Sequence, residues 1–185
     1  MGERGHHLRL VEAAEEQERR VLHVVPSVDE AFRRYSAYVA AVGLRLLGRP
    51  DEVDDLVQDV FIEAHKGFHT IRDAESVKRW LARVTVRVAH RRLVRRRRWS
   101  FLRLGTDFDY TELPDPAAPP DRRALLATVY QVLDGLPPKQ RIAWTLRHVQ
   151  GERLDQVALM CECSLATAKR RIAAAHATLR EAVDG

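Results

Sequence analysis

Cysteine is nearly absent. The two present, Cys161 and Cys163, stand one residue apart, a poor geometry for a disulfide and at best half of a metal site. This usage fits a reducing compartment, and buried packing is the simplest role for both thiols. No apolar run is long enough to span a bilayer, because charged residues, 31% of the chain, interrupt every segment. The opening residues, Met1 to His7, lack an apolar stretch followed by a small-residue cleavage site, so a secretory signal is not expected. Alternating runs of β-branched residues are missing, which excludes a sheet, and no internal repeat suggests a solenoid. One further absence is local: between Lys78 and Arg103 there is no Asp or Glu at all.

What is there is charge, unevenly placed. The 185 residues carry a formal net charge of +5, with 45% hydrophobic residues, enough for a folded soluble protein and too many for wholesale disorder. Eleven Lys or Arg lie between Lys78 and Arg103, so the remainder of the chain is net negative. Six Asp or Glu and no Lys or Arg lie between Asp51 and Glu63. A block as basic as the first reads as a nucleic-acid footprint or a membrane-surface patch, and its self-repulsion argues against a merely solvated helix face.

Helical periodicity organises both halves. Ser27, with Glu30 three residues on, predicts a capped helix through Phe32, Tyr35, Val39, Val42 and Leu46, stopped by Gly48 and Pro50. A second helix starts at Asp51, with Val53, Leu56, Val57, Val60, Phe61, Ala64 and Phe68 forming one buried stripe. Its other face carries Glu52, Asp55, Asp59 and Glu63 with Ile62 among them, a surface that would repel DNA and suits a protein partner with Ile62 as apolar anchor. A third helix from about Ser76 has its seam at Val77, Leu81, Val84 and Val88, which places Arg79, Arg83, Arg87 and His90 in a stripe opposite. Trp80 projects beside Arg87, either as a stacking platform for an unpaired base or as a core aromatic at the edge of the seam. Four prolines between Leu113 and Pro120 then exclude helix and predict a linker between two domains.

Beyond the linker, helices at 121–136, from Pro137-Pro138 to about Val149, at 154–161 and at 164–183 follow closely, and the last two read as a helix-turn-helix. Ala168, Ile172, Ala175 and Leu179 set its buried side. Ala166, Thr167, Arg170, Ala173 and Ala174 then face outward, flanked by Lys169 and Arg171 at positions suited to phosphates. Arg170 is the candidate for bidentate readout of guanine.

In order and spacing, Asp54-Asp-Leu-Val-Gln-Asp-Val-Phe61, Trp80-Leu-Ala-Arg-Val84, Leu136-Pro-Pro-Lys-Gln-Arg141 and Ser164-Leu-Ala-Thr-Ala-Lys-Arg-Arg171 resemble the bacterial extracytoplasmic-function (ECF) sigma factors, over roughly residues 28–183. The resemblance implies an all-α protein of two small domains: an N-terminal extension (1–26), a region 2-like helical bundle (27–99), a Pro-rich linker (100–120) and a region 4-like helix-turn-helix domain (121–185). It implies a promoter-specificity subunit of RNA polymerase, without enzymatic activity, cofactor or metal. The core-polymerase contacts would be Asp54, Asp55, Leu56, Gln58, Asp59, Phe61 and Ile62, docking on the clamp helices of the largest subunit, with the flap as a second contact. The minus-ten element would be melted and read by Ile71, Arg79, Trp80, Arg83, Arg87 and Arg91, and the minus-thirty-five element by Ser164, Thr167, Lys169, Arg170 and Arg171. An anti-sigma factor is a possible further partner, and the location implied is cytoplasmic, without membrane insertion. Four positions depart from the common pattern: Arg87 where many members have Asn, Ala173 and Ala174 in place of larger residues, and Glu162 where a turn glycine is common. A DNA reader working without polymerase, and an RNA-binding assembly protein using the 78–103 block, are the competing readings; the first leaves the acidic helix without a role.

Overall fold

A computed structural model describes residues 27–71, 73–101, 110 and 120–184. The N-terminal extension and most of the expected Pro-rich linker lie outside the described residues. Among the described residues every regular element is helical. Helix α1 (Val28–Leu47) begins as the capping pattern requires: the Ser27 side chain accepts from the Glu30 amide at 3.2 Å. It ends at Gly48, whose φ of 65° closes the helix with an N–H to Leu44 carbonyl bond of 2.7 Å. A 3₁₀ turn (Pro50–Glu52) leads into α2 (Val53–Gly67), and a second (Phe68–Thr70) toward α3 (Ala74–Phe101).

Both ends of α3 differ from the sequence expectation, and α2 starts two residues after Asp51 because the 3₁₀ turn precedes it. Helix α3 starts before Ser76 because Asp73 caps it, accepting from the Glu75 amide at 3.0 Å and the Ser76 hydroxyl at 2.9 Å. It also runs on to Phe101, since nothing in the arginine-rich tail breaks a helix. The second half comprises α4 (Pro120–Gly135), α5 (Pro138–His148), α6 (Leu154–Met160) and α7 (Leu165–Asp184).

The core follows from the apolar stripes. Val39, Val42 and Leu46 of α1, Leu56, Val60 and Ala64 of α2, and Val77, Leu81, Val84 and Val88 of α3 are all buried. Gly43 permits the close approach of α2, since a Cβ there would lie 2.6 Å from Leu56 Cδ2. This core is continuous with Ile142, Leu146, Val157, Met160 and Ile172, so the two halves share one apolar interior. A smaller cluster gathers Tyr110, Tyr130, Leu133 and Leu136 around Ala175 and Leu179.

Hydrogen bonds also join the halves around the C-terminal end of α1. A helix leaves its last carbonyls without intrahelical donors, and here side chains supply them. Tyr130 donates its hydroxyl to the Arg45 carbonyl at 2.8 Å. Arg141, with 1% of its surface exposed, donates Nε to the Leu46 carbonyl at 3.0 Å and Nη2 to the Leu47 carbonyl at 2.6 Å. Arg96 of α3 adds a bond to the same Leu47 carbonyl at 3.2 Å. Asp134 completes the charge balance by accepting from Arg141, from Arg96 at 2.8 Å and from the Tyr110 hydroxyl. Burial pushes the Tyr130 phenol up to about 12, so it stays a donor at physiological pH.

Candidate protein and nucleic-acid interfaces

Helix α2 presents two kinds of polar side chain. Toward α3, its carboxylates are engaged: Asp59 with Arg92 at 2.5 Å, Glu63 with Arg87 at 3.2 Å and with Arg91, and Glu52 with Arg96 at 3.3 Å. This pairing across 24 to 44 residues of sequence explains how so basic a helix tolerates its own charge. Away from α3, Asp54, Asp55 and Gln58 are exposed and Ile62 has 53% of its surface in solvent. No ion pair reaches Asp54 or Asp55 among the described residues. The result is an acidic strip with a bare isoleucine, a surface of the type that takes a basic protein partner.

Two of the residues expected on this strip do not belong to it. Leu56 is fully buried against Gly43, and Phe61 is buried with its ring 4.9 Å from that of Phe32. Their place in the sequence stripe (Val53, Leu56, Val57, Val60, Phe61) already puts them on the core side, where they support the helix beneath the exposed strip. Phe32, half exposed beside Phe61, is an apolar edge of α1.

The basic stripe of α3 is divided. Arg79 is exposed and donates to the Ser76 hydroxyl at 3.4 Å. Arg83 is half-buried, with Nε enclosed and without a hydrogen-bond partner among the described residues. Trp80 is half-buried, edge-on to Phe68 at 6.0 Å and close against Gly67, so one side of its indole packs on the domain. Ile71, extended after the 3₁₀ turn, is half-buried beside the same core. Farther along, Arg87 also reaches Glu162 of the second half at 3.7 Å. With Arg87, His90 and Arg91 line a cleft against Lys139, Ile142, Met160, Cys161, Glu162 and Arg171. Burial, then Lys139, Arg171 and Arg91, hold the His90 imidazole below its ordinary range.

In the helix-turn-helix, Ser164 accepts from the Thr167 amide at 3.2 Å and donates to the Thr167 hydroxyl at 2.9 Å, capping α7. Both hydroxyls are thereby engaged locally. Lys169 and Arg170 are exposed, as is Ala173, while Arg171 is half-buried in the cleft just described. Glu162 takes a positive φ of 48°, as its position in the turn foreshadowed. Cys161 is half-buried, and burial followed by the neighbouring Cys163 pushes its thiol up to about 12. Such a thiol stays protonated and is a poor metal ligand. Among the described residues no group of His, Cys, Asp and Glu is placed to hold a metal ion, and no helix is long and apolar enough to cross a membrane.

Lys139, Asp134 and Tyr130 carry no sign in the sequence of their part in these surfaces. The Pro137-Pro138 helix start fixes where α5 begins, but the approach of α5 to α3 is a tertiary event.

Comparison with known proteins follows this division of the chain. Residues 31–99 match the Sigma-70 region 2 family model and residues 126–179 the Sigma-70, region 4 model. The chain is 29% identical over 167 residues to the RNA polymerase sigma-H factor of Pseudomonas aeruginosa, covering 82% of this chain and 81% of that protein. It is 28% identical over 163 residues to the ECF RNA polymerase sigma-E factor of Escherichia coli K12, with the same coverage. Among solved structures, the fold is similar to the sigma factor RpoE of Bartonella quintana in complex with the anti-sigma factor NepR (TM-score 0.62, 22% identity, 83% of this chain and 94% of that one). It is similar as well to CnrH in complex with the cytosolic domain of CnrY (TM-score 0.55, 23% identity, 85% and 87%).

Proposed function

The chain belongs to the ECF sigma factors, non-enzymatic proteins that bind core RNA polymerase and promoter DNA to direct promoter-specific initiation, and from that membership we propose how its surfaces divide the work. The 27–99 domain holds polymerase and the minus-ten element, and the 121–185 domain reads the minus-thirty-five element. The strip of Asp54, Asp55, Gln58, Asp59 and Ile62 docks on the polymerase clamp helices, with Ile62 entering an apolar pocket and the carboxylates pairing with basic side chains. Ile71, Arg79, Trp80, Arg83, Arg87 and Arg91 engage the opened minus-ten element, where cations follow the backbone and the exposed side of Trp80 supports an extruded base. Thr167, Lys169, Arg170 and Arg171 contact the minus-thirty-five duplex, with Ser164 setting the start of the reading helix and the flap as a further contact of this half. An anti-sigma factor, as in the RpoE–NepR complex, is a candidate regulator of the same surfaces.

The observation that carries this reading is the opposite sign of two adjacent helices: an acidic, apolar-tipped strip on α2 next to the cationic α3. An element built to bind DNA alone gains nothing from the strip. Pull-down of core polymerase by the chain carrying Asp55→Arg and Ile62→Glu tests it, since both side chains are exposed and neither supports the core. At least a tenfold loss of recruitment is expected, with unchanged binding to duplex promoter DNA; full recruitment would sink the docking assignment.

A further inference from the structure

The cleft between α3 and the second half has a volume of about 390 Å³, within the range of small-ligand sites. Its walls carry Arg87 and Arg91 from α3, Lys139 from α5 and Arg171 from α7, against one carboxylate, Glu162. Glu63, outside the lining, offsets Arg87 and Arg91. Lys139 and Arg171 have no carboxylate partner among the described residues, and the pair from Glu162 to Arg87 is long and half exposed. The apolar floor is Ile142 and Met160. Cations therefore converge from three helices on one half-open cleft, where burial and then Lys139, Arg171 and Arg91 hold the His90 imidazole below its ordinary range.

We propose that this cleft is a binding site for a polyphosphate group, carried by a nucleotide or free, that bridges α3 to α5 and α7. Guanidinium groups pair with phosphate oxygens in bidentate fashion, Lys139 serves as a point charge, and a chain of two or three phosphates matches cations on opposite walls better than a single carboxylate can. Glu162, itself an anion at the rim, swings away as the phosphate takes its place beside Arg87. The bound phosphate ties the halves together and occupies Arg87 and Arg171, so it competes with promoter DNA. The competition rests on the functional reading above; the binding does not.

Calorimetric titration of the full chain with inorganic triphosphate and, separately, with ATP tests the site at about 0.1 M salt, where diffuse charge attraction is largely screened. One saturable site is expected, and Lys139→Gln with Arg171→Gln weakens it at least tenfold. Lys169→Gln with Arg170→Gln, which removes the same charge from the outer face of α7, leaves it unchanged. Equal binding of the two ligands identifies the phosphate chain alone as the ligand, and tighter ATP adds contact of the base with Ile142 and Met160. The His90 imidazole resonance of the unsubstituted chain shifts on adding triphosphate, a readout independent of any variant. Absence of saturable binding, an unmoved His90 resonance, or equal losses in the two double variants overturns the proposal. Triphosphate that binds at the site without displacing promoter DNA leaves the anion site standing and removes Arg87 and Arg171 from the DNA contacts.

Discussion

Arg141 is the side chain on which most depends. It is enclosed in the shared interior, donates to two α1 carbonyls and pairs with Asp134. Removing it leaves Asp134 short of a partner and the Leu46 carbonyl without its donor, the circumstance in which deletion of one member of a buried pair costs about 3–5 kcal/mol. Arg141→Met should show a loss of that order in urea unfolding, and Arg141→Lys should recover part of it, because one ammonium cannot reach both carbonyls and the carboxylate together. His90 gives a pH signature. Its folded-state affinity for protons is lowered by burial and then by Lys139, Arg171 and Arg91. The unfolded chain thus binds the proton first as pH falls. Its contribution to stability is complete above about pH 6.5 and is lost as pH falls through and below that value. Unfolding midpoints measured between pH 8 and 5 should fall less steeply for His90→Gln than for the parent; identical slopes would remove His90 as the cause.

At the scale of the element, the turn before α7 combines strain with attachment. Glu162 sits at a φ that glycine adopts freely, and its carboxylate reaches Arg87 on the other half. Glu162→Gly is expected to stabilise the turn while loosening its hold on α3, so the midpoint of unfolding stays level or rises as hydrogen exchange along α6 quickens; slower exchange there contradicts this. Such elements were readable from sequence to different depths. The seam Val77, Leu81, Val84 and Val88 is buried as its period required, and the Ser27 and Gly48 ends fall where local chemistry puts them. The early start of α3 was missed because Asp73 caps it from outside the apolar pattern. Which arginines would be spent on ion pairs could not be read at all, since Glu52, Asp59 and Glu63 meet α3 through packing and not through sequence proximity. The inward turn of Arg141 has the same origin: an arginine reads as a surface residue, and the signal lay in the unsatisfied carbonyls of α1, 94 residues away.

For the molecule as a whole, the packed arrangement and promoter binding place opposite demands on the two halves. Elements named for positions ten and thirty-five lie about 25 base pairs apart, roughly 85 Å along duplex DNA at about 3.4 Å per step, whereas here Arg87 and the helix-turn-helix are in direct contact. The 18 residues from 102 to 119 can span about 60 Å when extended. On the functional reading above, binding both elements requires the halves to part. Spin labels on cysteines introduced at Ala37 and Ala177, both exposed, should report a distance longer by tens of ångströms in the polymerase-promoter complex than in the free chain, and an unchanged distance would contradict the requirement. The end of α1 then bears on how such proteins can be recombined. Because its terminal carbonyls are completed by Tyr130 and Arg141 from the other half, the halves are fitted parts rather than interchangeable modules. A chimera that takes its second half from a relative inherits the reading helix it was built for, but also whatever that relative places against the α1 terminus. Its success as a free protein should track the match at that seam more closely than the identity of the DNA-facing residues.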